Sequence, residues 1–290
     1  MSYIQIASAS DVIQTDLAIL SGGQKLQGRL FRPVRAPRAV AIINAATAVR
    51  QRFYRPFAEW LVSQGIACLT YDYRDFGSSA RGPMRQSNAT MLDWGIHDAQ
   101  AARDAARAHL PDSPVWVIGH SLGGLLLSYQ KDLDQIERAI GVASGFVHVS
   151  EHPWPYQALA RFFWYGGGPL STSVAGYLPG KRLGFGQDLP TQVYWQWRAL
   201  CTRRDFASTA LWGALPPEDL RGFSGELRMV AVEDDVMVPP KAVWKVMQRH
   251  HEARKTQATL RPAAYGLRKI GHIGVFDPAS SACWPDIIAD

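Results

Sequence analysis

Val115-Trp116-Val117-Ile118-Gly119-His120-Ser121-Leu122-Gly123-Gly124-Leu125-Leu126-Leu127 reads as a buried strand, a turn of small residues and then a helix. Four apolar residues precede the first glycine, a run suited to a strand covered on both faces. A leucine-rich, helix-forming run follows the last. Between them, Gly119-His120-Ser121-Leu122-Gly123 fits G-x-S-x-G, the pattern of a serine held exposed on a strained strand-to-helix turn. The flanking glycines let neighbouring backbones pass close enough for that turn to form. The bare pattern arises by chance in about one chain in ten of this length. Its strand-then-helix setting is what gives it weight here.

Towards the amino terminus, strands and helices alternate at the spacing of a parallel sheet. Val12 to Pro33 alternates apolar and polar residues around Ser21-Gly22-Gly23 and predicts two antiparallel strands joined by a tight turn. Val40 to Ile43 predicts a short buried strand, Arg55 to Gln64 a helix stopped by Gly65, and Ala67 to Tyr73 another strand. Met91 to Leu110 predicts a long helix, broken by Pro111-Asp112-Ser113-Pro114 just before the serine-bearing stretch. Towards the carboxyl terminus, a strand over Ile136 to Ala143 is followed by a change of character up to about Gly225. Trp154, Trp164, Trp195, Trp197 and Trp212 fall there, half of the chain's ten tryptophans, with several prolines and Gly166-Gly167-Gly168. This segment reads as an insertion that packs its own small core, closes an aromatic face over an apolar pocket, or does both. The strand signal returns at Leu227 to Val232, with a helix from Lys241 to His250 and a short strand near Ala258 to Arg261. The expected organisation is a core over residues 1–146, an aromatic-rich cap over 147–225, and the rest of the core over 226–290.

At 290 residues and 47% hydrophobic composition, the chain can bury a large α/β core. Its net charge of +6 is carried by scattered basic residues interleaved with acidic ones, which argues for a solvated surface and against a nucleic-acid face. Cys68, Cys201 and Cys283 are distant from one another and odd in number, so neither a disulfide framework nor a cysteine zinc site is expected. Met1 to Gln24 lacks Lys and Arg and holds no long apolar run, and no stretch reaches membrane-spanning length. A cytoplasmic location is therefore expected, with a small molecule as the partner and no metal or other cofactor. Oligomeric state stays open.

A serine hydroxyl needs a histidine to take its proton and a carboxylate to hold the imidazole in the right tautomer. Ser121, then Asp234-Asp235 at a strand end, then His272 near the carboxyl terminus supply these groups in one workable order. With these residues, Tyr71 to Ser79, Asp235-Val236-Met237-Val238-Pro239 and Gly271-His272, the chain resembles the α/β-hydrolase superfamily over nearly its whole length. Gln51-Arg52-Phe53-Tyr54, Met91-Leu92-Asp93-Trp94-Gly95 and Gly271 to Phe276 resemble, more narrowly, a bacterial branch of predicted, serine aminopeptidase-like α/β hydrolases. The resemblance implies an esterase-, thioesterase- or amidase-like serine hydrolase acting on esters, thioesters, lactones or amides. It implies Ser121 as nucleophile, His272 as base and Asp235 as triad acid, with Asp234 a loop residue capping local N–H groups. Many members carry His-Gly where this chain has Asn44-Ala45. The oxyanion donors carried over by position are the N–H groups of Ala46 and Leu122, with Ala45 as the fallback. Trp164, Trp195 and Trp197 are the expected substrate-binding residues of the cap.

Other patterns are weaker. His148-Val149-Ser150-Glu151-His152 matches H-x-x-E-H, but Pro153 and Pro155 follow at once and disfavour the helix a zinc site needs. His250 and His251 are adjacent, cannot share a helix face, and read as surface residues. Gly166-Gly167-Gly168 lacks the Lys-Ser or Lys-Thr of a phosphate loop. His120 can either touch substrate or pack. The competing functional classes are an acyltransferase using the same acyl-enzyme and a non-catalytic ligand-binding protein on the same fold.

Overall fold

The computed structural model describes residues 12–204 and 223–290; Trp212 and the first eleven residues lie outside them. β1 (Val12–Ser21) and β2 (Gln24–Pro33) form the expected hairpin, with Ser21 opposite Gln24. Gly22 and Gly23 take φ of 54° and 79°, the paired left-handed geometry that a two-residue hairpin turn demands. β3 (Ala39–Asn44), β4 (Ile66–Tyr71), β5 (Val115–His120) and β6 (Arg138–Val142) are buried at every position, which explains their largely apolar, non-alternating sequences. β7 (Tyr177–Leu178) and β8 (Leu189–Pro190) form a separate small ladder, and β9 (Glu226–Val232) and β10 (Arg254–Leu260) complete the main sheet. Its order is β1-β2-β4-β3-β5-β6-β9-β10, antiparallel between β1 and β2 and between β2 and β4, parallel elsewhere.

Helices lie between the strands: α1 (Arg55–Ser63), α2 (Ala99–His109), α3 (Tyr156–Phe162), α4 (Gly168–Ala175), α5 (Thr191–Thr202), α6 (Pro240–Arg249), α7 (Gly271–Gly274) and α8 (Trp284–Ile288). From β3 the chain moves one way across the sheet to β4, and from β5 it moves the other way to β6, β9 and β10. The carboxyl ends of β3 and β5 therefore flank the point where the winding reverses, the place where such sheets leave a crevice for ligands. The loop Asn44 to Thr47 and Ser121 both sit at that point.

Two expectations need correction. No long helix follows β5. Ser121–Gly124 and Leu127–Tyr129 are single short helical turns. Gly123 and Gly124 weaken helix propagation at its start, and the residues beyond are committed to another contact. The helix leading into α2 is widened over Asp93–Asp98. Leu126 packs against Gly95 there, so closely that an added Cβ would lie 2.5 Å from Leu126 Cδ1. Gln130 Nε2 donates to the Gly95 carbonyl at 2.9 Å. His250, read as a surface residue, is instead buried, and its Nδ1 accepts from the Phe223 N–H at 3.2 Å.

Between β6 and β9 none of the described residues joins the main sheet. α3, a widened turn over Phe163–Gly167 and α4 run on as one helical segment, followed by the β7/β8 ladder and α5. Arg198 on α5 donates to the Trp164 carbonyl at 2.6 Å, holding the widened turn against that helix.

Candidate active site

Ser121 has φ of 53°, a left-handed conformation that costs a residue with a Cβ about 1–2 kcal/mol. The two motif glycines show how tightly it is enforced. A Cβ on Gly119 would lie 2.5 Å from Gly124 Cα and N, and one on Gly123 only 2.0 Å from the Asn44 carbonyl oxygen. Ser144 Oγ bonds the carbonyls of Ser121 at 2.8 Å and Gly119 at 3.1 Å, tying the turn to the end of β6.

The loop after β3 is pinned by three buried tyrosines on three successive residues. Tyr71 donates to Asn44 Oδ1 at 2.8 Å, Tyr73 donates to the Ala45 carbonyl at 3.0 Å, and the Tyr54 oxygen accepts from the Ala46 N–H at 2.9 Å. Burial pushes all three phenols up, so each remains a neutral hydroxyl. Asn44 also bonds the Gly123 carbonyl through Nδ2 at 3.3 Å and so bridges β3 to the serine turn.

Asp235 and His272 meet. Asp235 Oδ2 accepts from His272 Nδ1 at 2.7 Å, both side chains being buried. Asp235 Oδ1 accepts from the N–H groups of Met237 and Val238, each at 2.8 Å, which fixes the carboxylate plane. With its proton on Nδ1, His272 keeps Nε2 as a free lone pair. Asp234 turns the other way. Its two oxygens accept from the N–H groups of Ile270 and Gly271 at 3.0 and 2.9 Å, holding the loop that carries His272.

His120 does not line the cavity; it packs beneath. Its Nε2–H donates to the His272 carbonyl at 3.0 Å and its Nδ1 accepts from Tyr54 at 2.8 Å, a carbonyl being unable to donate. Burial, with His272 nearby, holds it well below the ordinary imidazole range and therefore neutral. The chain Ala46 N–H, Tyr54, His120, His272 carbonyl couples the loop after β3 to the histidine loop through the core.

Ser121, Leu122 and His272 open on one cavity of about 580 Å³. Its far wall is aromatic: Phe163, Trp164, Phe185 and Trp197, with Phe163 stacked on Phe185 at 4.9 Å and Trp164 edge-on to Trp197 at 4.9 Å. Trp164 and Trp197 were expected here. Trp195 was too, but it does not line the cavity; it packs on Tyr194 at 5.1 Å and under the Arg198 guanidinium, on another side of α5. The Ala46 N–H, the expected donor, is bonded to Tyr54, and Thr47 rather than Ala45 or Ala46 lines the cavity. Thr47 Oγ1 is buried with no hydrogen-bond partner.

His152 and Tyr156 also line the cavity and carried no sequence signal beyond the H-x-x-E-H pattern. That pattern is a capping turn in which Glu151 accepts from the His148 N–H and pairs with Lys245. His152 Nδ1 donates to the Val236 carbonyl at 3.2 Å, leaving Nε2 as an acceptor. Burial lowers the His152 imidazole and pushes the Tyr156 phenol up to about 12. The wall thus offers neutral polar groups in an otherwise apolar chamber.

No helix among the described residues is long and apolar enough to cross a membrane. In sequence, 123 residues are 29% identical to lysophosphatidylserine lipase ABHD12 of Gallus gallus, covering 39% of this chain and 30% of that protein. The chain therefore spans less than a third of the length of that curated relative. In structure, it is similar to a soluble variant of monoglyceride lipase from Saccharomyces cerevisiae, with a TM-score of 0.67 at 13% identity over 98% of this chain and 97% of that one. It is also similar to an esterase of Pyrococcus furiosus, with a TM-score of 0.57 at 15% identity over 95% and 88%. Identities this low speak for the fold. A model of the alpha/beta hydrolase family matches residues 42–279, from within β3 to just before α8, and the chain belongs to that family of enzymes.

Proposed function

We propose that the protein is a serine hydrolase that forms an acyl-enzyme on Ser121 from a carboxylic ester, thioester, lactone or amide with an apolar or aromatic portion. The observation that carries the reading is the 2.7 Å bond between Asp235 and His272 beside a strained serine on the same apolar cavity. His272 Nε2 takes the Ser121 proton as Oγ attacks the carbonyl carbon, then gives that proton to the leaving group. A water, deprotonated by the same nitrogen, releases the acid and restores the serine. Asp235 holds the tautomer and stabilises the transient imidazolium.

The oxyanion donors in this reading are the N–H groups of Leu122 and, in place of Ala46, of Thr47. Support comes from the engagement of the Ala46 N–H with Tyr54 and from the position of Thr47 on the cavity wall. The insertion over 147–225 serves as a cap whose Trp164 and Trp197 select the acyl group. Steady-state hydrolysis of esters of graded acyl length tests the substrate class. Medium or aromatic acyl groups are expected to exceed acetyl in kcat/KM, and a preference for charged acyl groups would contradict the cavity's chemistry.

A further inference from the structure

The helical segment 156–175 faces the wrong way for an ordinary surface helix. Its inner side is built of residues four apart, Ala160, Trp164, Gly168 and Thr172, all buried. A Cβ on Gly168 would lie 2.4 Å from the Tyr194 hydroxyl, so this side is pressed on α5. Its outer side carries Leu159, Phe162, Tyr165, Leu170 and Val174, and the one irregular step in that spacing falls at the widened turn. Leu170 is 68% exposed and Val174 81%, with Trp154 at the start of the segment 79% exposed. An exposed helix normally turns polar residues outward. Here twenty residues, about 30 Å of helix, present a continuous apolar stripe to the surroundings.

Two further observations say what covers it. Residues 153–204 contain six basic residues and one acidic residue, Asp188, so this part carries +5 of the chain's +6. Arg161 on the helix and Lys181, Arg182, Arg203 and Arg204 beyond it are exposed. The stripe is also continuous with the cavity mouth, because Leu159, Phe162 and Leu183 face outward and line the cavity at once. A second copy of the chain would set a basic rim against a basic rim. An anionic lipid surface matches both the apolar stripe and its basic surround.

We propose that the outward face of the 156–175 segment docks in the plane of an anionic lipid–water interface, with its basic rim at the headgroups and the cavity mouth opening onto the lipid. The proposal goes beyond the hydrolase reading and stands without it, since docking needs no turnover.

Flotation of the full chain with vesicles of phosphatidylcholine, with and without phosphatidylglycerol, tests it. The chain is expected to float with the anionic vesicles, less with the neutral ones, and less again as salt is raised. Leu170→Asp with Val174→Asp is expected to weaken partitioning by at least about tenfold, and Arg161→Glu by about tenfold. Neither Leu170 nor Val174 lines the cavity, so hydrolysis of a short water-dissolved ester and the circular dichroism should be unchanged in the double variant. Should that variant fail to fold, brominated lipids provide a measurement on the native surface: they are expected to quench a component of tryptophan emission that Trp154→Phe removes. Absence of flotation, flotation undiminished in a folded double variant, or no Trp154 component in the quenching would overturn the proposal. So would a dimer in buffer that the double variant dissociates, which would assign the stripe to a second copy.

Discussion

Asp234 and Asp235 are neighbours in sequence and opposites in use. One carboxylate holds the backbone of the histidine loop and the other holds the imidazole. Asp235→Asn is expected to leave the fold intact and to lower turnover about ten-thousandfold, because the amide can no longer fix the tautomer. Asp234→Asn keeps one acceptor for two N–H groups and is expected to cost far less. Steady-state kinetics with circular dichroism separates them, and an Asp234→Asn variant more crippled than Asp235→Asn would reverse the assignment.

Burial also makes His120 a source of pH dependence. The unfolded chain protonates this histidine below about pH 6.5 while the folded chain keeps it neutral. The unfolded state then binds more protons, so stability falls as pH drops, by up to about 1.4 kcal/mol per pH unit for such a group. His120→Gln, which can still donate and accept, is expected to flatten that slope in urea titrations between about pH 7.5 and 5.5. Comparing the two proteins cancels the contributions of Asp72 and Asp98, whose carboxyls burial raises. Equal slopes would contradict the neutral, buried assignment. The motif singles out Ser121, chain order adds the Asp234-Asp235 pair and His272, and the choice of Asp235 rests on the family resemblance. Tyr54, Tyr71, Tyr73 and Ser144 were not readable, since their bonds join residues far apart in sequence and only the sheet brings them together.

At the scale of elements, the buried strands were legible; the β7/β8 ladder, the start of β10 at Arg254 and the segment after the serine turn were not. Completely buried strands write themselves as apolar runs, whereas Leu125-Leu126-Leu127 reads as helix until its packing on Gly95 is known. The turn itself has no slack. Gly123→Ala would drive a Cβ into the Asn44 carbonyl, a backbone atom that cannot swing aside, and is expected to cost about 3 kcal/mol or more in urea unfolding. A loss within a few tenths of a kcal/mol would mean that the turn yields more readily than its geometry implies.

α5 gives the sharper lesson. Trp195 and Trp197 are two residues apart on one helix and therefore point to different sides, a distinction that clustering of tryptophans in the sequence does not make. Trp197→Ala is expected to shift the ranking of acyl groups toward larger ones, and Trp195→Ala to leave the ranking unchanged. The reverse pattern in kcat/KM across an ester series would place the selecting wall elsewhere.

Across the whole molecule, the fold makes a site by convergence. β3 and β5 run side by side while their connections leave in opposite directions, so the loop after β3 and the serine turn meet at the carboxyl edge of the sheet. β9 brings the carboxylate to the same edge, and the chain returns after β10 with His272. Described residues of the aromatic insertion form the far wall of the cavity at that edge, and the segment 156–175 turns an apolar stripe outward. Within that insertion, residues 153–204 hold six basic residues against one acidic residue. In the proposed mechanism Ser121 is the attacking nucleophile. Intact-mass spectrometry after a fluorophosphonate probe tests it directly: one adduct is expected on the native chain and none on Ser121→Ala. An adduct that persists in Ser121→Ala, or none on the native chain, would contradict it.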